Sequence, residues 1–298
     1  MPVHKSIWLV NDYRTTIPGT RTLWHDLERW FGARFVGGDY YWLADRVEAL
    51  HSRMPGEPSL VLRNATWFRP LELACRQVAL LQDIVEAEAR VMQLEVCRRA
   101  DLVVFNTART RSFYPEVSLD KVAVVPLPVD FSLFAPGEGM DGVAPGAICW
   151  VGAESQVKGI EVLRELVAAF PQRRFVVVAK DRMTCWAPNV EVFHNLPHAK
   201  LVALYNSCSL GLCTSAQESQ HLAGLEMGAC GLPLLTTQVG AYWGRPDGVW
   251  GKAVPAAELA RALASMGPAA NRQAVRYYWL SQGFDTDSVV AAWRRVIG

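Results

Sequence analysis

The sequence predicts a fold of two open α/β units, each a parallel sheet with crossover helices. Three observations carry that prediction. Short apolar runs alternate with amphipathic helical patterns along the whole chain. A stretch dense in Pro and Gly, PLPVDFSLFAPGEGMDGVAP at 126–145, interrupts the alternation near the middle. The length of 298 residues suits two domains of ordinary size.

In the first unit the apolar runs place strands at 6–10, 35–36, 60–62, 78–81, 102–105 and 122–125. Between them, Leu23, Leu27, Trp30 and Phe31 line one stripe of a helix at 20–31, and Val91, Leu94 and Val96 recur within a charged helix at 85–99. The second unit has strands at 148–151, 175–178, 190–193, 210–213 and 234–236, with helices at 159–169, 200–206 and 222–229. From about residue 255 the chain reads as helical and ends in a segment at 288–296 with Val289, Trp293 and Val296 on one side. The expected organisation is a first domain at 1–130, a linker at 131–145, a second domain at 146–275, and a C-terminal helix at 276–298 packing back on the first domain.

Composition excludes several classes. With 51% hydrophobic and 20% charged residues, the chain has a core to bury and is not disordered. A formal charge of +1 argues against a main role in non-specific binding to a phosphate backbone. The seven cysteines are odd in number and form no C-x-x-C pair, so no disulfide framework or zinc ribbon is readable and a reducing, cytoplasmic setting is expected. No run of about 18 apolar residues occurs, so neither a membrane span nor export is expected.

Glu218 and Glu226 are eight residues apart, about two turns if both lie on a helix, which would set both carboxylates on one face. Glu218 follows the strand at 210–213, and open α/β sheets place ligands at such carboxyl ends. A bare pair at this spacing also fits a solvated helix face. Lys158-Gly159 stands after another strand where a helix opens, and helix N-termini with a lysine attract anions. Pro18-Gly19 ends a loop after the first strand, where glycine admits close backbone approach or simply makes a turn. His194 and His198 are four apart, but Pro197 between them disfavours a helical zinc pair. Neither G-x-x-x-x-G-K-[ST] nor a Ser/His/Asp signature occurs, and no G-x-G-x-x-G follows the first strand.

Several ordered motifs resemble a known family. Val151-Gly152…Lys158-Gly159, Asn189-Val-Glu-Val-Phe-His-Asn-Leu-Pro-His-Ala-Lys-Leu201…Leu204-Tyr205, Thr214-Ser215-Ala-Gln-Glu218…Leu225-Glu226-Met-Gly-Ala-Cys-Gly-Leu-Pro233 and Val239-Gly240 stand in the order and spacing of retaining glycosyltransferases of the GT-B fold, family 4. In the first half, Ala100-Asp-Leu-Val-Val-Phe105 and Lys121-Val-Ala-Val-Val-Pro126…Val129-Asp130…Phe134-Ala-Pro136 are similar to that family's patterns.

The resemblance implies two Rossmann-like domains facing across a cleft. It implies a UDP- or GDP-linked sugar as donor, with no cofactor and no metal, and a hydroxyl acceptor. That acceptor could be a glycan, lipid, small molecule, protein or modified nucleic acid. Glu226 would hold the ribose, Lys158 and the amides around His221 and Leu222 the diphosphate, and Glu218 would sit by the sugar. The base would lie against Phe193 and His194, while Gly19 and Gly152 would pack near the phosphates, with Arg21 and Lys180 as further cations. Gln82 and Asp83 would position sugar or acceptor. Apart from the resemblance, aromatics at strand ends of the first unit, Trp42 and Trp67 among them, fit either stacking on the acceptor or packing in the core.

The departures are specific. The family's arginine falls on Ala153, its glycine on His221, its Asn-Gly on Leu127-Pro128, and its histidine on Gln82. Loss of the arginine leaves two other readings open, a nucleotide-sugar-binding protein without transfer activity and a sugar-nucleotide epimerase of similar fold.

Overall fold

The computed structural model describes residues 6–11, 18–37, 58–64, 74–84, 87–179, 186–268 and 271–298. Trp42, Trp67 and Lys180 lie outside them, and for Gly19 and Arg21 the backbone alone is described. By internal packing the chain forms two units, Met1–Leu127 with Val289–Gly298, and Pro128–Ser288.

The first unit runs β1 (Ile7–Asn11), α1 (Pro18–Phe31), β2 (Arg34–Gly37), β3 (Leu60–Asn64), β4 (Arg76–Leu81), α2 (Ala87–Arg99), β5 (Leu102–Phe105), α3 (Ala108–Ser112) and β6 (Val122–Val124). Its strands are all parallel, in the order β2-β1-β3-β4-β5-β6. The continuous apolar runs are explained by burial on both faces: Trp8, Val10, Val61, Ala79, Leu81, Val103 and Phe105 pack with Leu94, Val96 and Cys97 of α2. Thr107 caps α3 by accepting from the Thr110 amide, which accounts for a short helix that has no apolar period to announce it.

The second unit runs β7 (Ile148–Val151), α4 (Ile160–Ala169), β8 (Phe175–Ala179), β9 (Val190–His194), α5 (His198–Ser207), β10 (Leu210–Cys213), α6 (Leu222–Ala229), β11 (Leu234–Thr237), β12 (Gly251–Val254), α7 (Leu259–Ser265), α8 (Arg272–Ser281) and α9 (Thr286–Ile297), whose residues from Val289 onward group with the first unit. This sheet is also parallel, ordered β12-β11-β10-β7-β8-β9. The Pro- and Gly-dense stretch at 126–145 contributes Val129, Phe131, Phe134 and Val143 to the second unit's core. Arg276 fixes it there by donating to the carbonyls of Phe131 and Phe134. Its Pro and Gly content hid those anchors, because they follow no helical or strand period. Among the described residues no helix is long and apolar enough to cross a membrane.

Candidate functional site

The second sheet reverses at β7. The chain steps outward through β8 and β9, then returns to lay β10 on the other side of β7 before continuing to β11 and β12. Ligands of open α/β sheets bind outside the carboxyl ends of the strands that flank such a reversal. Here the loop leaving β7 carries Lys158, and the loop leaving β10 carries Glu218.

Backbone and hydroxyl bonds tie these loops together. The Ala216 amide donates to the Val157 carbonyl at 2.8 Å, Thr214 Oγ1 to the Lys158 carbonyl at 2.9 Å, and Trp150 Nε1 to Thr214 Oγ1 at 3.0 Å. Gly159 caps α4 with φ 68°, and a Cβ there would lie 1.9 Å from the Thr214 carbonyl oxygen. Glycine is therefore what lets the two loops close. A Cβ on Gly152 would meet the Trp150 ring at 2.7 Å.

On this scaffold Lys158 Nζ meets Glu218 Oε1 at 2.5 Å, and Ser215 Oγ donates to the same oxygen at 2.8 Å. The Glu218 side chain is 11% exposed and that of Lys158 32%. Burial pushes the Glu218 carboxyl up, but His221, Lys158 and Ser215 together hold it below its usual value, so it is ionised at neutral pH.

The two glutamates do not share a helix, so the shared-face reading of their spacing, which required both to lie on one, does not apply. α6 begins at Leu222, so Glu226 rides on it while Glu218 stands in the preceding turn. The physical reason is His221, which takes the left-handed region (φ 65°, ψ 73°) and so cannot continue a right-handed helix backwards. Its side chain does not cap α6, whose first-turn amides have no partners within the helix. Glu226 Oε2 accepts from Tyr205 Oη at 3.3 Å. Burial holds the Glu226 carboxyl above its usual value, against the pull of His198, Tyr205 and His221.

The remaining expected residues are more dispersed. Phe193 and His194 end β9, the edge strand two positions from β7, and His194 is exposed. His198 opens α5 after Pro197, its ring 5.7 Å from that of Phe134. Ala153 is exposed. Gln82 and Asp83 follow β4 in the first unit, and Gly19 and Arg21 lie in the first turn of α1. Tyr242 and Cys213, which contact His221, were not singled out in the sequence: Tyr242 follows a glycine turn, and Cys213 reads as an ordinary buried strand residue.

Residues 145–266 match the family model for glycosyl transferases group 1. A curated D-inositol 3-phosphate glycosyltransferase of Segniliparus rotundus is 26% identical over 87% of this chain and 65% of its own length. That of Corynebacterium aurimucosum is 27% identical over 65% of this chain and 56% of its own length. The chain thus spans less than two thirds of these relatives. Among solved structures, sucrose-phosphate synthase from Thermosynechococcus elongatus superposes with a TM-score of 0.75 at 15% identity, covering 98% of both chains. Anabaena HepE in complex with UDP superposes with a TM-score of 0.72 at 14% identity, covering 98% of this chain and 99% of its own. The parallel sheets and the superpositions converge on the GT-B fold, and within the second unit residues 145–266 are similar to the glycosyl transferases group 1 family.

Proposed function

We propose that the chain moves a sugar from a nucleoside-diphosphate sugar, UDP- or GDP-linked, to a hydroxyl acceptor with retention of configuration and without a metal ion. The observation that supports this best is the Lys158–Glu218 pair, held by tied loops at the reversal of the second sheet. In this reading the donor's C1–O(phosphate) bond breaks as the acceptor oxygen bonds to C1 from the same face, and the acceptor's proton passes to the departing phosphate. The leaving group's growing negative charge is met by the Lys158 ammonium and the first-turn amides of α6. Glu226 accepts hydrogen bonds from the ribose diol, Glu218 orients the sugar, and Phe193 and His194 flank the base. Gln82 and Asp83 serve the acceptor. HepE was crystallised with UDP and with UDP-glucose, which makes a uridine donor the first to try.

The test is a panel of UDP- and GDP-sugars, scored by thermal shift and by release of free nucleoside diphosphate in EDTA. Binding followed by slow release supports transfer. Binding without turnover on any donor and acceptor supports the second reading, a nucleotide-sugar-binding protein, which the exposed alanine at position 153 favours. A chemically altered sugar supports epimerisation instead.

A further inference from the structure

His221 brings together three observations that the reaction above does not use. Its backbone occupies the left-handed region at φ 65°, which residues other than Gly adopt uncommonly and which Asn, Asp and His adopt most often among them. A conformation of this kind persists when the surroundings hold it. Here they do. Tyr242 Oη donates to the His221 carbonyl at 3.1 Å and lies 3.4 Å from its Nδ1, with the rings edge to face at 5.7 Å. Tyr242 is itself stacked on Trp250 and edge-on to Trp279. Gly224 clears the space, since a Cβ there would come within 2.3 Å of Tyr242 Oη and 2.7 Å of His221 Nδ1. The third observation is charge. The buried imidazole interacts with Cys213 at the end of β10, Glu218 in the turn before α6, Lys158 ahead of α4, Glu226 on α6 and Tyr242 after β11.

The Lys158–Glu218 pair is closed in this structure. A diphosphate competes with Glu218 for the Lys158 ammonium, and a carboxylate at 11% exposure that loses its cation needs another. Among the described residues the His221 imidazole is the other group that interacts with this carboxylate and can carry positive charge. We propose that His221 is a positioning residue that takes over the Glu218 carboxylate when a diphosphate draws Lys158 away, so that nucleoside-diphosphate binding is coupled to uptake of a proton by the imidazole. This rests on the reading that Lys158 holds the diphosphate. The proton leaves a buffer acid and bonds to the free ring nitrogen of the imidazole, and no other covalent bond changes.

The electrostatics run the same way. Burial opposes protonation of His221, but Cys213 and Glu218 outweigh burial and the repulsion from Lys158, so its pKa stands above the usual histidine value. Engaging the Lys158 charge with phosphate weakens the repulsion and adds negative charge nearby, which raises it further.

Calorimetric titration with UDP, GDP and inorganic pyrophosphate, each in two buffers of different ionisation enthalpy, counts the protons. The wild-type protein should take up protons on binding, and its Kd should weaken by about tenfold from about pH 7 to about pH 9. In His221→Asn, whose new side chain tolerates the left-handed backbone, both effects should vanish while affinity at about pH 9 stays within about twofold of wild type. If that variant does not fold, His221→Gly meets the same backbone requirement and carries the same expectation. Equal proton uptake and equal pH dependence in wild type and variant would overturn the coupling and leave the diphosphate reading standing. A wild-type protein that binds none of the three probes overturns both.

Discussion

Both units arrange six parallel strands in an order that reverses once, yet the carboxyl ends of their strands carry different chemistry. In the second unit, loops from the neighbouring strands β7 and β10 are tied together and present an ion pair, Lys158–Glu218, with His221 beside it. In the first, the ends of β4 and β5 carry neutral polar groups that satisfy one another. Asn106 Nδ2 donates to the Gln82 carbonyl at 3.0 Å, Thr110 Oγ1 to Asn106 Oδ1 at 2.8 Å, and the Thr110 amide to Thr107 Oγ1 at 3.0 Å. Asp83 is the acid beside them, and burial alone pushes its carboxyl above the usual value. Among the described residues one topology thus carries an ion pair at one sheet's edge and a neutral polar cluster at the ends of β4 and β5 in the other, because function resides in the side chains placed on the fold. In the proposed reading the ion pair meets the diphosphate and the neutral cluster serves the acceptor hydroxyl.

The largest effect that separates the two edges should come from Lys158→Ala. A donor aimed at developing charge is worth about 3–4 kcal/mol, so turnover should fall by about two to three orders of magnitude. Steady-state kinetics on the best donor, with and without added magnesium, reads this out. Survival of wild-type turnover in the variant would remove the diphosphate from this edge. Glu226→Gln should act on binding instead, weakening nucleoside diphosphate and full donor alike by about 1.5–3 kcal/mol, the range for hydrogen bonds to charged groups. The Glu226 pKa is raised, so the carboxylate that accepts from the ribose is lost as pH falls toward that raised value. Wild-type affinity should drop on acidification, with this component absent in Glu226→Gln. Isothermal titration across acidic pH checks both.

The difference between the edges also shows what a sequence exposes. The inner strands of both sheets were legible because they are buried on both faces and read as apolar runs. Lys158, Gly159, Glu218 and Glu226 were legible because each stands at a fixed offset from such a run. The turn at His221 was not, since left-handed backbone at a non-glycine residue leaves no periodic trace and its support, Tyr242, lies 21 residues away. β12 escaped for a related reason, since it holds one glycine and one lysine among four residues. In the first unit, the neutral cluster is assembled by pairing of β4 with β5, which brings Gln82 beside Asn106 across 24 positions that share no motif.

The smallest effect is the one that tests the neutral edge. Asp83 has a folded-state pKa above its ordinary value because burial disfavours the carboxylate. The folded chain therefore keeps this proton to higher pH than the unfolded chain does. The stability so conferred is fully present below the unfolded value and is lost as pH rises through the raised folded value. Asp83→Asn keeps the shape and removes the charge, so at neutral pH it should raise the melting temperature of the first unit modestly, and the two proteins should converge in acid, at about pH 3. Nucleoside-diphosphate affinity should stay at the wild-type level, because that ligand is assigned to the other edge. Differential scanning calorimetry across pH, beside a nucleotide titration, reads both. If Asp83 serves the acceptor, the stabilised variant should lose acceptor-dependent turnover while slow hydrolysis of the donor persists; full turnover in a stabilised variant would leave Gln82 and the Asn106–Thr110 cluster to bind the acceptor without an acid. A fall in nucleotide affinity on Asp83→Asn would break the comparison itself, since the two edges would then share one ligand.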